Sequence, residues 1–104
     1  MNKDYPKLQQ FLSGYFNQDW ADDYSNADEV IANYLSEAPA ETIELTKLEL
    51  TKLIFANLPE PQLQNLLFLE IGCGYYYPHK WPSGTLWLNH IFRKLDKHSP
   101  NITK

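Results

Sequence analysis

Proline punctuates this chain. Seven prolines are spread along 104 residues, and between them the apolar residues recur every three or four positions rather than every two, which is the spacing of half-buried helices. A first helix is expected from Pro6, which suits a first helical turn, with Leu8, Phe11, Leu12, Tyr15 and Phe16 on its inner stripe. Asn17–Tyr24 reads as its exit loop or a short turn. Ser25-Asn26 can accept bonds from free backbone N–H groups and open a second helix, with Asp28 and Glu29 in its first turn and Ala27, Val30, Ile31, Tyr34, Leu35 and Ala38 on its apolar face. After Pro39 a third helix places Ile43, Leu50, Leu53, Ile54 and Leu58 on one side and Leu45, Leu48 and Phe55 on the other. Apolar on two faces, it is expected to be central. Beyond Pro59 and Pro61, a fourth helix carrying Leu63, Leu66, Leu67 and Ile71 stops at Gly72. Gly72–Gly84 holds three of the four glycines and reads as a loop. Ser83 can cap a last helix with Leu88, Ile91, Phe92 and Leu95 inward and Arg93, Lys94 and Lys97 in its final turns. The tail Ser99–Lys104 is expected to fray. The fold expected is all-α, a small single-domain bundle of about five short helices with an ordered core over about residues 5–97.

Composition narrows the function classes. With 43% apolar residues, three Trp, seven Tyr and five Phe, the chain is too rich in adhesive groups to stay unfolded. Its longest apolar run, Leu66–Leu69, falls far short of the roughly 20 residues of a membrane span, and Met1-Asn2-Lys3-Asp4 has no signal-peptide character, so a cytoplasmic protein is expected. The lone Cys73 excludes an internal disulfide and the paired spacings of a structural zinc site. The net charge of −4 is unevenly placed. From Leu8 to Thr46 stand eight acids, Asp19, Asp22, Asp23, Asp28, Glu29, Glu37, Glu41 and Glu44, with no Lys, Arg or His, whereas the remainder is net +4. Such a field repels phosphate backbones and speeds encounter with a basic partner, so direct nucleic-acid binding is disfavoured.

Motifs for catalysis are sparse. Cys73 and His79 share one loop, but their spacing fits no nucleophile motif, and a lone Cys is more often a small buried apolar residue. His79, His90 and His98 lack the pairing of a helical metal site. Asp19-Trp20-Ala21-Asp22-Asp23 lacks the turn glycine and final glutamate of a calcium loop. Asp19 and Asp22 could in principle serve as an acid–base pair, but a domain this small with no predicted cleft favours the reading of a solvated, negatively charged loop. Gly72-Cys73-Gly74 lacks the rest of a phosphate loop. No cofactor or metal is expected. Aromatics beside charges are instead the composition of an interface, where Trp and Tyr supply rigid contact area and carboxylates supply orientation. The candidate contact residues are Asp19, Trp20, Asp22, Asp23, Tyr24, Tyr76, Tyr77 and Trp81. The alternative is that Trp20, Tyr24 and the Tyr75–Tyr77 run cap the core.

The string Tyr5-Pro6, Leu8, Phe11-Leu12, Tyr15-Phe16, Gln18-Asp19-Trp20, Asp23-Tyr24, then Ala27-Asp28-Glu29 resembles the opening of the immunity proteins of bacterial contact-dependent growth inhibition systems. A later family segment of the form Leu-Gly-Cys-Tyr-Tyr-x-Pro is similar to Ile71–Pro78, with Gly74 interrupting it, and the family ending to Trp87-Leu88-Asn89-His90-Ile91. The resemblance covers about residues 5–95. It implies a small cytosolic protein that binds and neutralises the C-terminal toxin domain of a matching effector in a 1:1 complex. Family toxins are commonly nucleases with basic substrate surfaces, which implies an acidic inhibitor covering a basic active site, an RNase site in particular. The rival readings are a helical adaptor for another basic protein and a small hydrolase using Asp19 and Asp22 or Cys73. Gene order separates them, since an immunity gene directly follows one for a large secreted protein.

Overall fold

The computed structural model describes residues 4–97. The N-terminal Met1–Lys3 and the tail Ser99–Lys104, expected to fray, lie outside the described residues, as does His98. All regular structure among the described residues is helical, and no helix there is long and apolar enough to cross a membrane. Six α-helices take the place of the five expected: α1 (Pro6–Gly14), α2 (Trp20–Asp23), α3 (Ala27–Glu37), α4 (Ala40–Ala56), α5 (Glu60–Asn65) and α6 (Gly84–Lys97). The additional one, α2, is a single turn inside the segment expected to be a loop or short turn.

The helix starts follow the residues that set them. Pro6 occupies the first turn of α1, whose free Lys7 and Leu8 N–H groups donate to the Glu49 carboxylate of α4 at 3.2 and 2.8 Å. A carboxylate at a helix N-terminus satisfies orphan donors and opposes the positive end of the dipole. Asn26 caps α3 by accepting from the Glu29 N–H at 3.0 Å, and Glu29 reaches back to accept from the Ser25 N–H at 2.8 Å, close to a capping box. α4 ends at Asn57, the one non-glycine residue with a positive φ (53°) among the described residues. Asparagine tolerates that left-handed conformation better than most residues.

α4 packs mainly against α6 and α1, so it is central as its sequence predicts, but only one of its two apolar faces is covered. Ile43, Leu50 and Leu53 are in the core, whereas Leu45, Leu48 and Phe55 are 39%, 66% and 80% exposed. Among the described residues, the outer face is left to solvent. Inside, Tyr34 of α3 donates its hydroxyl to Thr46 Oγ1 of α4 at 2.9 Å, and Thr46 passes its own proton to the Thr42 carbonyl at 2.9 Å. Thr46 is thus a fully buried polar residue with its bonds made.

The fourth predicted helix begins as α5 and widens into a π-helical turn at Leu66–Ile71 before Gly72 (φ 85°) ends it. The backbone then runs extended, with Cys73, Tyr75 and Tyr77 buried and Gly72, Gly74 and Tyr76 outward. Gly74 is what lets this segment close on the end of α1. Its N–H donates to the Phe16 carbonyl at 2.6 Å, and a Cβ there would lie 2.6 Å from that same oxygen. A 3-10 turn at Tyr77–His79 leads to α6, whose Leu86 N–H is accepted by Ser83 Oγ at 3.2 Å, as its sequence predicts.

Candidate functional site

A cleft of about 300 Å³ opens where the start of α3, the extended segment and α6 meet. Trp20, Tyr75, Trp81 and Trp87 supply its aromatic walls, and Asp28, Lys80 and His90 its charged or titratable groups. The walls hold one another in place. Trp20 makes edge contacts with Phe16 (5.7 Å between centroids) and Tyr75 (5.5 Å), while Trp81 lies 4.9 Å from the His90 ring. Asp28 Oδ1 is 2.8 Å from His90 Nε2 and Oδ2 is 3.8 Å from Lys94 Nζ, so α3 and α6 are tied together beside the cleft.

Five of the eight acids in the acid-rich span fall into two groups. Asp28 and Glu44 are offset by bases from later in the chain, Glu44 through Lys47, which also reaches Asp96 at 2.9 Å. Asp19, Asp22 and Asp23 are exposed along α2 and its N-cap, next to Trp20, and have no ion pair among the described residues. Glu29, Glu37 and Glu41 are likewise exposed and outside the ion pairs among the described residues, so these three aspartates are one part of a wider acidic field.

Of the eight candidate contact residues, the fold gathers five at one edge of the cleft: Asp19, Asp22 and Asp23 along α2, with Trp20 and Trp81 in the lining. Trp20 serves both readings, since it is half-buried against the core and also presents a face to the cleft. Tyr24 is half-buried at the end of α2. Tyr76 is 53% exposed but points away on the other side of the extended segment, stacked on Phe68 and against His79. Tyr77 is corrected from a contact residue to a core residue. It is 0% exposed, stacked on Trp87, and gives its hydroxyl proton to Glu60 at 2.5 Å. The Tyr77 N–H turns back to the Tyr75 carbonyl at 3.1 Å, which leaves Tyr76 outward between two buried neighbours, so the three consecutive tyrosines do not share one surface. Sequence reasoning passed over Asp28 with His90, which lie 62 positions apart, and Tyr75, Lys80 and Trp87. Only the Trp87–Ile91 similarity marked any part of that α6 wall.

Cys73 and His79, considered as nucleophile and base, have separate surroundings. Cys73 is buried with its thiol aimed at the Tyr75 carbonyl (3.8 Å), and burial pushes its pKa from 9.0 up to about 12. His79 is exposed against Tyr76. Among the described residues no three His, Cys, Asp or Glu side chains gather to hold a metal. Because the folded thiol stays neutral, its contribution to stability is present below the unfolded pKa near 9 and is lost as pH rises through about 12. Iodoacetamide is accordingly expected to leave native Cys73 unmodified near neutral pH and to label it at once in denaturant. Rapid labelling of the native protein would contradict the burial.

No curated protein matches the chain. A chain of the solved CdiA-CT/CdiI complex from Y. kristensenii 33638 is similar at 38% identity and TM-score 0.87, over 92% of this chain and 97% of that one. The family described as "CdiI immunity protein" matches residues 4–95, nearly the whole described span. The chain belongs to the CdiI immunity protein family.

Proposed function

We propose that this protein binds the toxin domain of a contact-dependent growth inhibition effector and silences it by occupancy, one molecule to one, in the cytoplasm of the cell that makes both. The surface laid on the toxin is the α2 acid patch with the adjoining aromatic cleft, and it covers a basic active site, that of a nuclease and in particular an RNase. The observation that carries this reading is the placement of Asp19, Asp22 and Asp23, exposed and without described counter-ions, beside an aromatic-lined cleft. Aromatic anchors supply affinity where they are desolvated, and unpaired surface charges supply steering toward an opposite surface. The similar chain from Y. kristensenii comes from a CdiA-CT/CdiI complex, which supports the partner class.

Binding needs no catalyst. Cys73→Ser and His79→Ala are expected to protect cells as wild type does, and titration of toxin activity is expected to end at equimolar inhibitor. Progressive, time-dependent loss of toxin at substoichiometric inhibitor would mean that the protein modifies its target.

A further inference from the structure

A second cleft, of about 280 Å³, shares no lining residue with the first and opens where α1, the C-terminal end of α3 and the start of α4 meet. Its rim is open to solvent: Glu37 and Pro39 are exposed, and Lys7 and Tyr15 are half-buried. The buried Phe11 and Tyr34 line it from inside and hold the Tyr15 ring, at 6.2 and 5.2 Å between centroids.

The carboxylate on this rim is only half used. Tyr15 donates its hydroxyl to Glu37 Oε1 at 2.7 Å, which fixes the carboxylate beside the ring, while Oε2 has no partner among the described residues. The same bond raises the Tyr15 pKa to about 12, so Tyr15 stays a donor at neutral pH. Helix α3 adds to the negative potential. It runs eleven residues to Glu37 with no base in its last turn, and Pro39 has no N–H with which to answer the Leu35 carbonyl four positions earlier. The negative end of its dipole therefore reaches the cleft at Ala38 without a counter-charge from its own last turn. Lys7 stands on the same rim, but its side chain is within ion-pair distance of no carboxylate among the described residues, Glu37 included. The cleft also continues the acidic surface of α2. Tyr24, at the end of that helix, lies close enough to Tyr15 to add to the rise in its pKa.

We propose that this cleft receives an arginine of the toxin, whose guanidinium pairs with Glu37 Oε2 and lies against the Tyr15 ring. This rests on the toxin-binding reading and deepens it, because the acid patch attracts a basic surface whereas the cleft holds one residue of it. Arginine fits better than lysine, since its flat, weakly hydrated fork bonds a carboxylate and rests on an aromatic face at once. An anion would instead meet a carboxylate and a helix C-terminus. Lys7 opposes a cationic guest, so its removal tests the sign of the occupant.

The test uses the full chain and the toxin domain encoded beside it, with association and dissociation rates measured separately by surface plasmon resonance. Glu37→Gln keeps the shape and an acceptor for Tyr15. It is expected to speed dissociation by about 10- to 100-fold, because losing a contact acts on dissociation and losing a distant charge acts on association. Glu41→Gln, an equal loss of charge outside the cleft, is expected to change association alone. Lys7→Gln is expected to slow dissociation. All three positions reach solvent, and melting midpoints near wild type are expected. In toxin labelled with 15N-arginine, one guanidinium Nε–H signal is expected to shift and become protected from exchange on binding wild type, and to lose that protection with Glu37→Gln. A dissociation rate unmoved by Glu37→Gln, faster dissociation of Lys7→Gln, or no protected arginine signal overturns the arginine cleft while leaving toxin binding intact. Absence of any complex with the wild-type protein overturns the toxin-binding reading itself.

Discussion

Reversal of Asp19, Asp22 and Asp23 to lysine is expected to slow association with a basic toxin domain by about 100-fold at low salt, toward the rate of an unsteered encounter. These three carboxylates are exposed and make no ion pairs among the described residues, so their field reaches solvent unopposed. For the same reason the fold has little to lose. Asp19 stands at the N-cap of α2 but makes no side-chain cap bond, and exposed charges without such bonds usually change stability by within about 0.5 kcal/mol, so the helical circular dichroism and melting midpoint are expected to stay near wild type. Stopped-flow mixing across a salt series measures the effect. The difference between the proteins should shrink as the screening length falls from about 10 Å at 0.1 M salt to about 3 Å at 1 M. An association rate that is indifferent to the reversal at low salt would remove α2 from the toxin-facing surface. It would turn attention to the exposed stripe of Leu45, Leu48 and Phe55 on α4, which is on a different helix.

What was legible in the sequence was local. Proline positions, the Asn26 cap and three- and four-residue apolar spacing specify where helices start and which face they bury, because those signals act within one turn. Two kinds of information were not local. The first is which face of a two-faced helix finds a partner. Leu48 and Phe55 are as apolar as Leu50 and Leu53, and only the number of neighbouring elements leaves the first pair outside. The second is the use of carboxylates from one helix to finish another. Glu49 closes the start of α1 across 41 residues and Glu60 the start of α6 across 24, with no motif to announce either. The cleft belongs to the same category. Trp20 and Trp81 stand out by type, but Asp28 with His90, and Trp87, become a site only when α3 and α6 pack together. Gly74 shows the converse case. As a sequence feature it interrupts a family pattern, and in the fold it is the residue whose missing side chain lets the extended segment hydrogen-bond to Phe16.

Glu60→Ala is expected to be among the most destabilising changes on the protein's polar side, costing about 3–5 kcal/mol, because one side chain holds two separate elements. Its Oε2 accepts the Tyr77 hydroxyl proton at 2.5 Å, and its two oxygens accept the Gly84 N–H at 3.0 and 3.2 Å, where α6 begins. Truncation leaves the hydroxyl proton of a 0% exposed tyrosine, whose oxygen still has the Gln64 side chain beside it, and the first donor of a fourteen-residue helix without their acceptor. Water cannot easily replace the carboxylate, because the space around Gly84 is closed. A Cβ there would lie 2.7 Å from Leu63 and 2.9 Å from the Tyr77 oxygen. Glu60→Gln keeps the shape and one acceptor and should lose about half as much, so the pair separates lost bonding from lost packing. Burial, with the Glu60 carboxylate adding to it, raises the Tyr77 pKa above its ordinary value of 10.0. That part of the stability is fully present below pH 10 and is lost as pH rises through the higher folded value. Alkaline titration followed by tyrosinate absorbance, together with urea denaturation at neutral pH, measures both consequences. In Glu60→Gln, which is expected to stay folded, the Tyr77 titration should move down toward that of an ordinary tyrosine as the negative charge is removed. An alanine variant as stable as wild type would mean that the Tyr77 hydroxyl and the start of α6 are satisfied elsewhere, and that Glu60 is a bystander at the junction between them.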